Sequence, residues 1–182
     1  RSEYAGNLLF GTDCAWAHSL NGSCKCGTTH GSYIAPLPIR PQKTNTNKIA
    51  MDIWHESIPI DGTVAHRYLE GRGIDLDLPD ALGFNKALKY YGDLADMQTQ
   101  TTWPALVAGV SVWPSHEIIA IQRTFLSVDA EGRVGKTPVP SPRQRLGAAR
   151  GGAVRLGDPE SLLVIGEGVE DMLSITQETW LP

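Results

Sequence analysis

Nowhere does this 182-residue chain hold an apolar run approaching the roughly 18 residues that carry a helix across a bilayer. Its first residues, RSEYAGNLLFGTDCAWAH, also lack the basic, apolar, small-residue order of a secretory signal. Membrane-spanning and secreted classes are set aside on these grounds, and a cytoplasmic protein with no membrane partner is expected. Cysteine is scarce, with only Cys14, Cys24 and Cys26 present, all near the amino terminus. An odd, clustered count in a reducing compartment argues against a disulfide framework. No internal repeat or low-complexity segment is present, so neither a repeat array nor a long solvated tract is expected. A hydrophobic content of 41% over this length suffices for one ordinary domain or two small ones.

The cysteines have a second use. With His18 they read Cys-x3-His-x5-Cys-x-Cys, and His30 follows four residues later. Tetrahedral zinc takes four nitrogen or sulfur donors, which makes Cys14, His18, Cys24 and Cys26 candidate ligands, although Cys-x-Cys is a tighter bite than the usual Cys-x2-4-Cys knuckle. The alternative is a small loop-rich terminus, residues 1–30, with incidental cysteines. Asn21-Gly22-Ser23 reads as a turn there. Residues 31–47, with three prolines and several small polar residues, read as a linker.

Residues 48–157 are expected to form an α+β core of short helices plus an antiparallel hairpin. KIAMDIWHES places Ile49, Ile53 and Trp54 at helical spacing. DGTVAHRYLEGRG offers Thr63 as an N-cap, Val64, Tyr68 and Leu69 as a buried stripe, and Gly71 and Gly73 as the stop. His66 falls within this second helix and reads as a surface or interface residue. ALVAGVSV (105–112) and EIIAIQRTFLSV (117–128) are rich in Val and Ile and flank Trp113-Pro114-Ser115-His116, the pattern of a hairpin whose loop carries the proline. Asp129-Ala130-Glu131-Gly132 is the next turn. Gly135-Lys136-Thr137 imitates a phosphate-binding P-loop, but Ala130 stands where that loop needs glycine, and Pro138 and Pro140 forbid the helix that must follow.

Charge is distributed in blocks. Residues 123–155 carry seven basic and two acidic groups, whereas from 156 to the end there are six acids and no base. Such a pair of blocks suits a polyanion-handling site with a divalent metal, and it equally suits two surfaces that neutralise each other. The acidic block contains LLVIGEGVEDMLSI (162–175). Leu162–Ile165 has the wholly apolar character of a strand buried on both faces, and Val169, Met172, Leu173 and Thr176 share one helix face. Glu167, bracketed by Gly166 and Gly168, is thus expected at a strand's carboxyl end ahead of a helix, where open α/β sheets bind ligands. Asp171 follows one turn later, and the two carboxylates can converge on magnesium. Glu170 reads as an acid complementing the helix dipole.

VIGEGVEDML resembles the first motif of the Toprim domain, in which a strand ends in Glu-Gly and an Asp follows on the helix. IWHESIPIDGTVAHRYLEGRGI, WPALVAGV, IQRTFL, GKTPVPSPRQRLG and GGAVRLG, taken in order, resemble phage and plasmid DNA primases of the satellite-phage alpha type over roughly residues 49–175. The resemblance implies that 158–182 begins the first β-α unit of an α/β Toprim domain. It also implies that Glu167 is the general acid/base of magnesium-dependent nucleotidyl transfer and that Asp171 helps hold Mg2+. Arg123, Lys136, Arg143 and Arg145 would contact single-stranded DNA template or nucleoside triphosphates, with a replicative helicase domain or protein as a further partner. Two departures are plain. The family's zinc motif resembles Cys-x2-His with Cys-x2-Cys, and the second Toprim strand, ending in Asp-x-Asp, is not found in the seven residues after Ile175. The chain therefore reads as a fragment that alone neither polymerises nucleotides nor binds magnesium tightly. The alternatives are another Toprim enzyme, a nuclease or topoisomerase, and a non-enzymatic nucleic-acid-binding module.

Overall fold

A computed structural model describes residues 45–76, 84–158, 163–179 and 181. The zinc candidates Cys14, His18, Cys24 and Cys26, and nearly all of the expected linker, lie outside the described residues.

Helices α1 (Asn45–Glu56), α2 (Val64–Gly71) and the short α3 (Phe84–Ala87) precede strands β1 (Leu88–Asp96), β2 (Thr101–Val112), β3 (Ile118–Val128), β4 (Val134–Lys136), β5 (Arg143–Leu146) and β6 (Gly152–Val154), and α4 (Val169–Thr179) follows. The strands form one six-stranded sheet whose pairings are all antiparallel. β2 is central. Its one edge pairs with β3, and its other edge pairs first with β1 and then, beyond Ala108, with β6 at Val110↔Val154. The free edge of β3 is likewise shared by β5 (Thr124↔Arg143) and β4 (Leu126↔Lys136). The class is α+β, with small helices on an antiparallel sheet. No helix among the described residues is long and apolar enough to cross a membrane.

The continuous apolar run of β2 has a direct cause, because alternate side chains of a strand point to opposite faces and both faces here are covered. Leu106 and Ala108 pack with Tyr68 and Leu69 of α2 and with Val169 and Leu173 of α4. Ala105 and Val107 pack with Ala50 and Trp54 of α1 and with Ile121 and Phe125 of β3. Gly109 makes room for the Trp54 ring, since a β-carbon there would lie 2.9 Å from Trp54 Cη2 and Ile118 Cδ1. Asn47 fastens the start of α1 to the sheet by donating to the Ile119 carbonyl at 3.1 Å and accepting from the Ala148 N–H at 3.1 Å.

The expected caps and hairpin are present. The Thr63 side chain accepts from the His66 N–H at the start of α2, and the chain leaves that helix through Gly73 at φ +77°. β2 and β3 turn through Trp113–Glu117, where the His116 N–H donates to the Val112 carbonyl at 2.9 Å. One expectation is corrected. Residues 163–166 form no strand, and Leu163 and Ile165 are 58% and 83% exposed, not buried on two faces. The physical reason is that none of the described strands pairs with this segment, so it has neither a hydrogen-bond ladder nor a covering layer.

Candidate functional site

The amino-terminal end of α4 divides the acidic cluster into two environments. Val169, Leu173 and Thr176 are buried on one helix face, and Glu170, at the flank of that face, is buried with them at 5% exposure. A buried carboxylate needs partners, and three side chains supply them. The Tyr68 hydroxyl donates to Oε1 at 2.7 Å, Lys136 Nζ stands 3.0 Å from Oε1, and Arg143 Nη2 stands 3.1 Å from Oε2. Burial alone would raise the Glu170 pKa. Hydrogen bonds from Tyr68, from its own backbone N–H and from Lys136, together with the Arg143 charge, outweigh burial and hold it at about 2. The Tyr68 hydroxyl is pushed up, first by burial and then by the adjacent Glu170 carboxylate.

Glu170 thus has a structural role much larger than dipole complementation, and it engages two of the four cations that the sequence suggested for nucleotide or template. A signal for this was present, since an acid directly following Val169 and three residues before Leu173 borders the apolar stripe. Its partners come from three other elements, however, and no local pattern names them. A third cation, Arg123, lies on the opposite face of the sheet with Ile121 and Phe125 and is 7% exposed. Its Nη2 donates to Gln144 Oε1 at 2.8 Å, and Gln144 Nε2 donates to Asp96 Oδ1 at 2.9 Å. Hydrogen bonds from Gln144 and Thr99 hold the Asp96 carboxyl below its ordinary range, while burial lowers the Arg123 pKa.

The other carboxylates, Glu167 and Asp171, are both exposed and form no ion pair with the described residues. Glu167 lines an open cleft of about 540 Å³ with Gln122, Arg145, Arg155 and the first turn of α4. The flanking glycines leave room for the ends of two flexible side chains. A β-carbon at Gly166 would run into Met172 Sδ at 2.8 Å, and one at Gly168 would overlap the Asp171 carboxylate. Arg145 and Glu167 therefore share a cleft. Arg145, which faces the same side of β5 as Arg143, has no ion-pair partner among the described residues.

The cleft joins an exposed carboxylate, two guanidinium groups and a helix amino terminus, whose free N–H groups favour anions. That chemistry suits a phosphorylated ligand. Two carboxylates at 167 and 171 are hard oxygen donors of the kind magnesium uses, and magnesium takes one or two of them alongside phosphate and water. Among the described residues no group of three or more His, Cys, Asp or Glu comes together, and Glu167 is the carboxylate that lines the cleft, so magnesium there would need a phosphorylated ligand to complete its shell.

Sheet topology, helix placement and this cleft define an α+β protein with a phosphate-compatible site at the head of its last described helix. The chain belongs to the family described as Domain of unknown function (DUF7146), whose model matches residues 44–156. No curated protein and no solved structure matches it. Tyr68, Lys136, Arg143, Arg145 and Arg155 lie inside the matched span, whereas Glu167, Glu170 and Asp171 follow it.

Proposed function

We propose that the chain is part of a DNA primase of the phage and plasmid type, with Glu167, in the loop ahead of α4, as the first acidic residue of a Toprim-type site. The observation that carries this reading is the placement of Glu167: exposed between two glycines, in one cleft with Arg145 and Arg155. In nucleotidyl transfer a 3′-hydroxyl attacks the α-phosphate of a nucleoside triphosphate, the bond from that phosphorus to the bridging α–β oxygen breaks, and pyrophosphate leaves. Glu167 accepts the hydroxyl proton, and Arg145 and Arg155 hold phosphate oxygens as charge develops on them. Glu167, with Asp171 and the phosphates, would hold a magnesium ion, which would supply neutralisation of that charge. Single-stranded DNA and nucleoside triphosphates are the corresponding ligands, and a replicative helicase is the partner that would deliver unwound template. Lys136 and Arg143, engaged by Glu170, position the head of α4 from behind.

Primer synthesis by the full-length protein on a single-stranded template tests this. Glu167→Gln should abolish magnesium-dependent synthesis while leaving the fold intact, and synthesis that survives the substitution removes Glu167 from the role. A second reading, a nucleic-acid-binding module without chemistry, is favoured by the exposed cations Arg145 and Arg150. It expects binding that weakens with salt and is indifferent to magnesium.

A further inference from the structure

A second surface lies beside the cleft and shares Arg155 and Gly157 with it. Trp113, at the tip of the β2–β3 hairpin, is 63% exposed. Its ring is nevertheless held in place. His116 meets it edge-on with centroids 5.4 Å apart, and the Arg155 guanidinium carbon lies 5.7 Å from the ring centroid. Arg155 is itself fixed, because its Nη1 donates to Ser111 Oγ at 3.0 Å. A cavity of about 520 Å³ opens here, lined in part by Lys86, Trp113, His116, Arg155 and Asp158. The Val112↔Gly152 pairing brings exposed Arg150, just ahead of β6, to the same end of the sheet as Trp113. Among the described residues, the acids of this end are Asp158 and Glu117.

An exposed, positioned indole among cations is the arrangement that receives an unpaired base, since every base has a π-face and its phosphate seeks a nearby positive charge. We propose that Trp113 is a stacking platform for one base of single-stranded nucleic acid, with Lys86, Arg150 and Arg155 contacting the adjoining phosphates. Arg155 and Gly157 line both this cavity and the Glu167 cleft, so a strand stacked on Trp113 passes Arg155 on its way to that cleft. The proposal deepens the primase reading by assigning its template site, but binding at Trp113 requires neither Glu167 nor magnesium.

The test is fluorescence anisotropy with a labelled oligothymidylate of about 20 nucleotides, long enough to exceed one stacking site, in chelator and without magnesium. Trp113→Ala should weaken binding about tenfold or more, the loss expected for one base stack, and Trp113→Phe should retain most of the affinity. An abasic oligonucleotide of equal length should bind the native chain and Trp113→Ala equally weakly. Arg155→Ala should reduce the slope of log affinity against log salt by about one. Affinity unchanged in Trp113→Ala, or duplex DNA binding as tightly as the single strand, would overturn the proposal. Because magnesium is absent, either failure is separate from the fate of Glu167 in primer synthesis.

Discussion

The Tyr68 hydroxyl donates to Glu170 Oε1 at 2.7 Å, joining α2 to α4 across 102 positions of sequence. With Lys136 and Arg143 on the same carboxylate, this contact fixes the helix that directly follows the Glu167 loop. The chemistry proposed at Glu167 therefore depends on a buried ion cluster that does not itself touch the ligand. Four outcomes follow from this arrangement and from the packing around it.

Acid should unfold the protein partly through Glu170. Its pKa is depressed from an ordinary 4.5 to about 2 in the folded chain, so the stability it contributes is fully present above pH 4.5 and is lost as pH falls toward 2. Because Lys136 and Arg143 are each about a third exposed, solvent screening limits that contribution to about 1–2 kcal/mol. Urea titrations across this interval should show a steeper loss in the native chain than in Glu170→Gln. Asp96 and Asp129, also depressed by their hydrogen bonds, lose stability in both proteins, so the difference between the two curves isolates Glu170.

Tyr68→Phe removes one hydrogen bond and leaves the ring packed against Leu69 and Leu173. A bond to a charged, buried acceptor is worth about 1.5–3 kcal/mol, and loss of that order is expected at neutral pH. The urea midpoint should fall with an unchanged slope. Below pH 2 the native chain and Tyr68→Phe should converge, because a protonated Glu170 has less need of the donor. An equal gap at every pH would show that Tyr68 contributes packing only.

Much of the frame was legible in the sequence. The Thr63 cap, the Tyr68–Leu69 stripe and the Val- and Ile-rich strands around Trp113-Pro114 each express their element locally, through hydrogen bonding to the chain's own backbone or through periodic burial. β1 did not show itself, because a register shift between Tyr91 and Leu94 breaks the alternation that marks a strand. The apolar run ending at Ile165 pointed to a buried strand, but hydropathy reports which residues would gain from burial, not whether a neighbour covers them. Glu170 was hidden for a related reason. Its partners lie 102, 34 and 27 positions away, and only the folded sheet brings them to one point.

Gly109→Ala tests whether α1 is held by close approach to β2. The added β-carbon meets Trp54 and Ile118, and overpacking of a closed site costs about 1–3 kcal/mol. Trp54→Phe relieves the collision, so the double substitution should be more stable than the two single losses added together, by about 0.5 kcal/mol or more. Thermal or urea unfolding of the four proteins gives the coupling directly. Strict additivity would mean that the glycine serves backbone freedom in β2 and not the indole.

Arg143 and Arg145 are two residues apart on one face of β5, yet the structure gives them different work. Arg143 neutralises a buried carboxylate, so Arg143→Ala should lower stability by about 1–2 kcal/mol, with the exposed part of its charge discounted. Arg145 has no acidic partner among the described residues and lines the cleft of Glu167, so Arg145→Ala should leave the unfolding midpoint within about 0.5 kcal/mol of the native value. In primer synthesis by the full-length protein the order should reverse. Arg145→Ala should raise KM for the nucleoside triphosphate about tenfold through loss of a charge-assisted phosphate contact, while Arg143→Ala, assayed well below its melting point, should change KM little. If both substitutions moved stability and KM together, the cation pair would be one structural unit and the phosphate contact would have to be sought at Arg155.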